Sequence, residues 1–275
     1  MRQSTPVLKA PPGATDTHMH IYTDGFAVAP TAIGPRPNGD APDYLRKRQA
    51  LGLTRCVVVQ PTHYGTDNSC TLAAMAGFGA TARGVAVLAP AAGDDEFERL
   101  TRLGVRGVRF QMVPGGCTDW SDTTALASRA AAHDWHAQLQ LEGRELPERL
   151  ATIRRWPGNL VVDHIGRFHE PALDRPAVKA LLDLVEGGRC WVKLSAPFIH
   201  SRAGWPGFED VAPLARRLVA LAPERMLWAS NWPHPGMQAD PPDDGRLLDI
   251  LADWCPDEAV RRKILVDNPA ALYGF

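Results

Sequence analysis

The chain lacks an excess of charge of either sign. Its 275 residues carry 30 lysines and arginines against 31 acids, with no basic or acidic block, so it offers no electrostatic surface for a nucleic acid or an anionic membrane. A few arginines focused in a cleft would still suffice for a small anion. It also lacks any apolar run of membrane-spanning length, and its opening residues, Met1 to Pro12, contain no run of signal-peptide length. Neither secretion nor membrane insertion is expected. There is no C-x-x-C pair: Cys56, Cys70, Cys117, Cys190 and Cys255 stand far apart, which reads as reduced thiols in a cytoplasmic protein. No G-x-G-x-x-G follows the first strand-like run and no P-loop occurs. Nucleotide-binding α/β folds lose their main signal.

What is present is an ordinary globular composition, 45% hydrophobic and 22% charged, with a β-rich run recurring about every 25–40 residues and helical patterns between. The eight runs are Ala14–Ile21, Arg55–Gln60, Arg83–Ala89, Val105–Gln111, His136–Leu141, Leu160–His164, Cys190–Ser195 and Arg225–Asn231. Runs such as Cys56-Val-Val-Val59 and Leu160-Val-Val162 are apolar without a break, as parallel strands covered on both faces require. The segment 94–104 starts with acids and ends with arginines and a glycine, and 42–52 also ends in glycine; both patterns are helical. Further helices are expected near 68–80, 122–133, 146–155, 175–188, 208–222, 244–254 and 257–266. No interdomain linker is visible. The expected architecture is a single-domain α/β chain folded as a (β/α)8 barrel over 1–275, with residues 1–12 flexible and the Pro/Gly-rich stretch 24–43 lying over the barrel mouth.

Chemistry in a barrel collects where the C-terminal strand ends meet their loops. Those ends carry Asp16-Thr-His-Met-His20, Gln60-Pro-Thr-His63, Arg106-Gly-Val-Arg-Phe-Gln111, Gln138-Leu-Gln-Leu-Glu142, Asp163-His164, Lys193-Leu-Ser195 and Ser230-Asn231-Trp-Pro-His234. His18 and His20, two apart in a strand, share a face and can polarise a carbonyl or hold a metal; hydrogen-bonded core histidines are the plainer reading. His164 has the same two readings. Arg106 and Arg109 alternate across their strand, so one enters the barrel. Arg109 is the candidate for holding a carboxylate, and Arg106 is expected to pair with a helix acid. Arg202, His63, Tyr64, Glu142 and His234 are further candidates for contacting substrate from the loops.

These motifs, together with Gly107-Val-Arg-Phe110, Val162-Asp-His-Ile-Gly166, Val192-Lys-Leu-Ser195, Trp228-Ala-Ser-Asn-Trp-Pro-His234 and Asn268-Pro-Ala-Ala-Leu-Tyr273, run through nearly the whole chain in strand order. The chain resembles the lactonase-like branch of the amidohydrolase superfamily. That resemblance implies that His18, His20 and His164 surround a lactone carbonyl, that Arg109 and Arg202 hold carboxylates, and that the residue on the eighth strand acts on the nucleophile.

The departure from the family pattern is Asn231, where the lactone-hydrolysing members carry an aspartate as general base. An amide is essentially non-basic, so the contribution of about 10²–10⁴-fold from a general base is lost at that position. A hydroxyl of the substrate, held against the carbonyl, can replace water and move the ring closure from one oxygen to another. We therefore expect catalysis by His18, His20, His164 and Asn231 on a carboxylated sugar-acid lactone, with isomerisation as the reaction. Hydrolysis with His63, His234 or Glu142 as base is the alternative, and a non-catalytic carboxylate-binding barrel a second. No metal cofactor is expected, because the set supplies three neutral nitrogens and no anion; zinc held by His18, His20 and His164 is the alternative. The sequence does not specify an oligomeric state.

Overall fold

The computed structural model describes residues 4–275. Eight parallel strands occur in chain order: β1 (Thr15–Met19), β2 (Arg55–Val59), β3 (Ala82–Ala86), β4 (Val105–Met112), β5 (His136–Leu141), β6 (Leu160–Val162), β7 (Cys190–Ser195) and β8 (Met226–Ala229). Each pairs with the next. The ring is drawn together where β8 meets β1: the Asn231 N–H donates to His18 O (2.9 Å), the His20 N–H to Trp232 O (2.8 Å) and the Thr17 hydroxyl to Trp228 O (2.8 Å).

Around the strands lie α1 (Ala41–Ala50), α2 (Ser69–Phe78), α3 (Asp94–Arg102), α4 (Trp120–Ala132), α5 (Leu146–Ile153), α6 (Pro176–Glu186), α7 (Ala212–Leu221) and α8 (Asp244–Trp254). The expected helix 257–266 divides into α9 (Glu258–Arg262) and a π-helical turn (Lys263–Asp267), after which α10 (Asn268–Tyr273) ends the chain. Their starts follow local chemistry. Asp40 caps α1 by accepting the Asp43 N–H at 2.8 Å, with Pro42 in the first turn where its missing N–H costs nothing.

The unbroken apolar runs serve two cores. In β2, Cys56 and Val58 face the helices, while Val57 and Val59 join Val85, Val161, Trp191, Leu227 and Tyr273 in a separate cluster inside the barrel. Burying each valine side chain contributes roughly 1.5–3 kcal/mol. Residues 1–3 lie outside the described residues; the rest of the segment expected to be flexible is tied to α8, with the Ser4 N–H on Asp243 (3.0 Å) and the Leu8 N–H on Asp249 (2.8 Å). The long loop after β1 lies over the mouth. Tyr22 bridges to Gly39, and the Ala29 N–H donates to His63 O at 2.8 Å.

Four strands end two or three residues earlier than the sequence patterning suggests: β1 at Met19, β3 at Ala86 and, with consequences for the site, β6 and β8. β6 stops at Val162, and His164, Ile165, Gly166 and Arg167 then follow one another at positive φ (54°, 54°, 79°, 53°). β8 stops at Ala229, with Asn231 and His234 both at φ 61°. Left-handed backbone costs an L-residue roughly 1–2 kcal/mol. Here it turns the polar residues away from the strand axis and over the barrel end.

Candidate active site

A cavity of about 260 Å³ opens at the C-terminal end of the barrel. His20, Tyr22, Thr62, Arg109, Gln140, His164, Arg167 and Asn231 supply its polar wall, and among the described residues no aspartate or glutamate lines it. Two arginines facing a wall without acids favour an anionic ligand.

Beneath the wall lies a fully buried ionic layer. Asp163 Oδ2 accepts from Arg109 Nε (3.3 Å), Arg109 Nη2 (3.1 Å) and Gln138 Nε2 (3.2 Å). Arg109 also donates to Gln60 O (2.9 Å) and Gln140 Oε1 (2.8 Å). Lys193 Nζ contacts Thr17 O (2.9 Å), Gln138 Oε1 (2.8 Å) and His18 Nδ1 (3.3 Å). Burial opposes every charge in this layer. It pushes the Lys193 ammonium down to about 7. For Asp163 burial acts to raise the pKa, but the neighbouring His18, Lys193 and Arg109 outweigh it and hold the carboxyl well below its usual range.

The three expected catalytic histidines come together but are not equivalent. The rings of His18 and His20 meet edge to face with Nε2 atoms 3.2 Å apart, and His20 Nδ1 lies 2.7 Å from Val59 O. His18 is wholly buried behind the wall, not on it. His164 stands 4.8 Å from His18, centroid to centroid, and reaches the wall with its Nδ1 bonded to Ser195 Oγ at 2.9 Å. Burial, ahead of the nearby cations, lowers all three, His20 to about 3 and the other two well below the usual imidazole value. They are neutral rings at pH 7.

Asn231 lies on the wall with its backbone fixed at both ends, its N–H on His18 O and its carbonyl accepting the His234 N–H, each at 2.9 Å. Arg109 also reaches the wall, although most of its N–H groups serve the layer below. It therefore brings a buried positive charge to the cavity floor and has little hydrogen-bonding capacity left for a carboxylate.

The expected loop contacts largely go elsewhere. Arg202 is 70% exposed and pairs with Glu170 at 3.6 Å, because the loop after β7 carries it outward. The arginine at the cavity lip is Arg167, which Glu142 engages through Nη2 at 2.6 Å. Glu142 itself is off the wall, engaged by Arg167 and by His169 at 3.3 Å. His234 pairs with buried Asp244 at 2.9 Å, and Lys47 holds the same carboxylate at 2.8 Å. His63 packs among Tyr22 and Tyr64, and the Tyr64 hydroxyl bonds the backbone of Thr23; both brace the loop over the mouth. Arg106 donates to Thr101 O (2.9 Å) and Val105 O (2.8 Å), with no helix acid involved.

Sequence reasoning passed over Tyr22, Arg167 and Lys193. Tyr22 had a signal, since it continues the two-residue alternation of His18 and His20. Arg167 had none, because only the run of left-handed residues aims it inward. Lys193 was visible at a strand end without an assigned role.

Among the described residues, His18, Asp163 and His164 form a group whose ligand atoms all lie within 4.8 Å. The set does not fit a divalent cation. The Lys193 ammonium already sits 3.6 Å from Asp163 Oδ1 and 3.3 Å from His18 Nδ1, and Arg109 Nη2 lies 3.3 Å from His18 Nε2. A metal there would face two cations at close range in a buried site.

A family model described as amidohydrolase matches residues 15–275. A D-galactarolactone isomerase of Agrobacterium fabrum is 38% identical over 269 residues, spanning 96% of this chain and 91% of that protein. A 2-pyrone-4,6-dicarboxylate hydrolase of Comamonas testosteroni is 35% identical, spanning 98% of this chain and 93% of that protein. An apo crystal structure of a protein from Agrobacterium tumefaciens superposes with a TM-score of 0.91 at 36% identity, covering 98% of both chains.

Proposed function

Because the chain belongs to the amidohydrolase family, we propose that it is an enzyme acting on a carboxylated lactone, and that it isomerises a sugar-acid lactone by intramolecular acyl transfer. Similar proteins include both an isomerase and hydrolases, so likeness alone does not choose between the reactions. The observation that carries the choice is Asn231 on a cavity wall that has no carboxylate.

The free carboxylate of the substrate binds at the lip against Arg167, with the Arg109 charge beneath the ring. A substrate hydroxyl then adds to the lactone carbonyl carbon while Asn231 orients it by hydrogen bonding. The new C–O bond forms, the carbonyl oxygen takes up negative charge above Arg109, and the old ring C–O bond breaks as the carbonyl re-forms. The proton lost by the attacking hydroxyl is returned to the departing ring oxygen. His164 is placed to carry it, since its Nδ1 is engaged by Ser195 and the opposite ring edge faces the cavity. A neutral, weakly basic imidazole suits a transfer that begins and ends with no net proton change.

The same reading has no resident metal, as the two cations beside His18 argue. It also places the enzyme in the cytoplasm, on its five free cysteines. No helix among the described residues is long and apolar enough to cross a membrane. Hydrolysis has weaker support, because Glu142, His63 and His234 are all off the wall.

The test is to incubate aldarate monolactones with the enzyme and follow ring size by ¹³C NMR. Exchange between ring forms with little free diacid is expected; opening to free acid without exchange would refute isomerisation. Asn231→Asp should raise the ratio of hydrolysis to exchange by about 10²-fold or more as a base becomes available to water. An unchanged ratio would remove position 231 from control of the nucleophile.

A further inference from the structure

Tyr22 lies on the cavity wall but takes no part in the acyl-transfer steps described above. Its ring is held on three sides, with centroids 6.2 Å from His20, 5.9 Å from His63 and 6.1 Å from Tyr64. Its backbone is held as well. The Tyr22 N–H donates to Gly39 O at 2.8 Å, and Gly39 packs directly on the residues that follow Asn231: a Cβ at that position would come within 2.6 Å of Pro233 Cγ. The same contacts therefore place Tyr22 and Asn231 relative to one another. Tyr22 is only 3% exposed, yet its hydroxyl makes no hydrogen bond among the described residues and is not one of the polar atoms sealed from solvent. It opens into the cavity. Tyr64 gives the contrast, with its hydroxyl 3.2 Å from both the N–H and the carbonyl of Thr23. Burial pushes the Tyr22 phenol up, with Arg109 acting against it, so the hydroxyl stays protonated and able to donate.

Acyl transfer needs such a donor. Negative charge develops on the carbonyl oxygen above Arg109, whose N–H groups are largely taken by Asp163, Gln60 and Gln140. A buried cation with few free hydrogens stabilises that oxygen less than the same cation joined by an aimed hydrogen bond. We propose that Tyr22 is a catalytic residue whose O–H donates to the lactone carbonyl oxygen and strengthens that bond as the oxygen becomes an oxyanion. This role rests on the lactone reading, and it serves attack by a substrate hydroxyl or by water alike.

Tyr22→Phe removes one oxygen and keeps the ring contacts. With aldarate monolactones followed by ¹³C NMR, kcat should fall about 10²-fold with KM within about threefold, and the ratio of exchange to hydrolysis should not change. Thermal unfolding without ligand should give a Tm within about 1 °C of wild type, because no intramolecular bond is lost. A Tm lower by more than about 3 °C would show that the hydroxyl bonds within the protein, and would overturn the proposal without any substrate. An unchanged kcat would overturn it too, whether KM stays constant or rises, since Tyr22 would then have no part in the transition state. If the wild-type enzyme turns over none of these lactones, the lactone reading fails and the role of Tyr22 with it. That result is distinct from an active wild type matched by its variant, which would remove Tyr22 alone.

Discussion

Two sets of charges, one beneath the cavity and one on the exposed surface beyond its lip, behave as different materials. Below the wall, Arg109 and Asp163 are 3% and 0% exposed, and the donors of Arg109 and Lys193 meet acceptors brought from other strands and strand ends across the barrel. In this outer set, beyond the cavity rim, Arg202 and Glu170 are 70% and 51% exposed and meet at 3.6 Å between long, solvated side chains. Water screens the rim pair to a contribution of about 0–1 kcal/mol, whereas the same attraction in the layer is offset by a large desolvation cost and holds only while every partner is present. The comparison separates charges that shape the site from charges that merely decorate its entrance. Arg167 with Glu142, 16% and 20% exposed, stands between the two.

Removing a layer charge should have the largest effect. Arg109→Met leaves Asp163 buried with Lys193 as its remaining cation, and urea unfolding should show a loss of about 3–5 kcal/mol. A loss below about 1 kcal/mol would mean that the layer is as well solvated as the rim.

The next effect comes from protons. His20 and His136 are lowered by burial to about 3 and His200 to about 4. Their folded forms bind fewer protons than the unfolded chain below pH 6.5, so stability falls as pH drops through that window. The slope is up to about 1.4 kcal/mol per pH unit for each histidine. Asp16, raised by burial to about 6, acts in the opposite sense: its folded form binds more protons between pH 6 and its ordinary 3.8, and offsets part of the loss. His136→Gln should flatten the stability profile between pH 6 and 4 by about 1.4 kcal/mol per unit. Equal slopes in variant and wild type would show that His136 is protonated inside the fold.

Smaller changes are expected toward the rim. Glu142→Gln should loosen Arg167, raising KM about threefold to tenfold with kcat nearly constant, at a stability cost of about 1 kcal/mol or less. A fall in kcat at constant KM would instead move Arg167 from binding to the chemical step. Arg202→Ala should be nearly silent, within about 0.5 kcal/mol in stability and with KM unchanged. A rise in KM as large as that of Glu142→Gln would bring Arg202 back into contact with substrate and erase the distinction between the two pairs.

Legibility in the sequence followed the same division. The barrel was legible because β2 reads Cys-Val-Val-Val and the later strands repeat such runs at regular spacing. His20, Arg109, His164 and Asn231 were legible because strand ends in a barrel converge. His234 and Glu142 misled for a shared reason: both are polar residues just past a strand, yet a buried Asp244 and the Arg167 side chain claim them. Nothing local marks such a partner. Arg202 misled because a loop residue has no fixed face.

The amino-acid sequence by itself determined the strands, their inward faces and the amide at position 231, since side-chain alternation along a strand is a property of neighbouring residues. Only the tertiary structure decided which partners each buried histidine meets and which arginines line the cavity. Those outcomes depend on contacts such as Lys193 with Thr17, 176 residues apart, and on a left-handed turn at Arg167. Closure of the barrel sets the distances across which donors and acceptors meet, and no short segment contains that information.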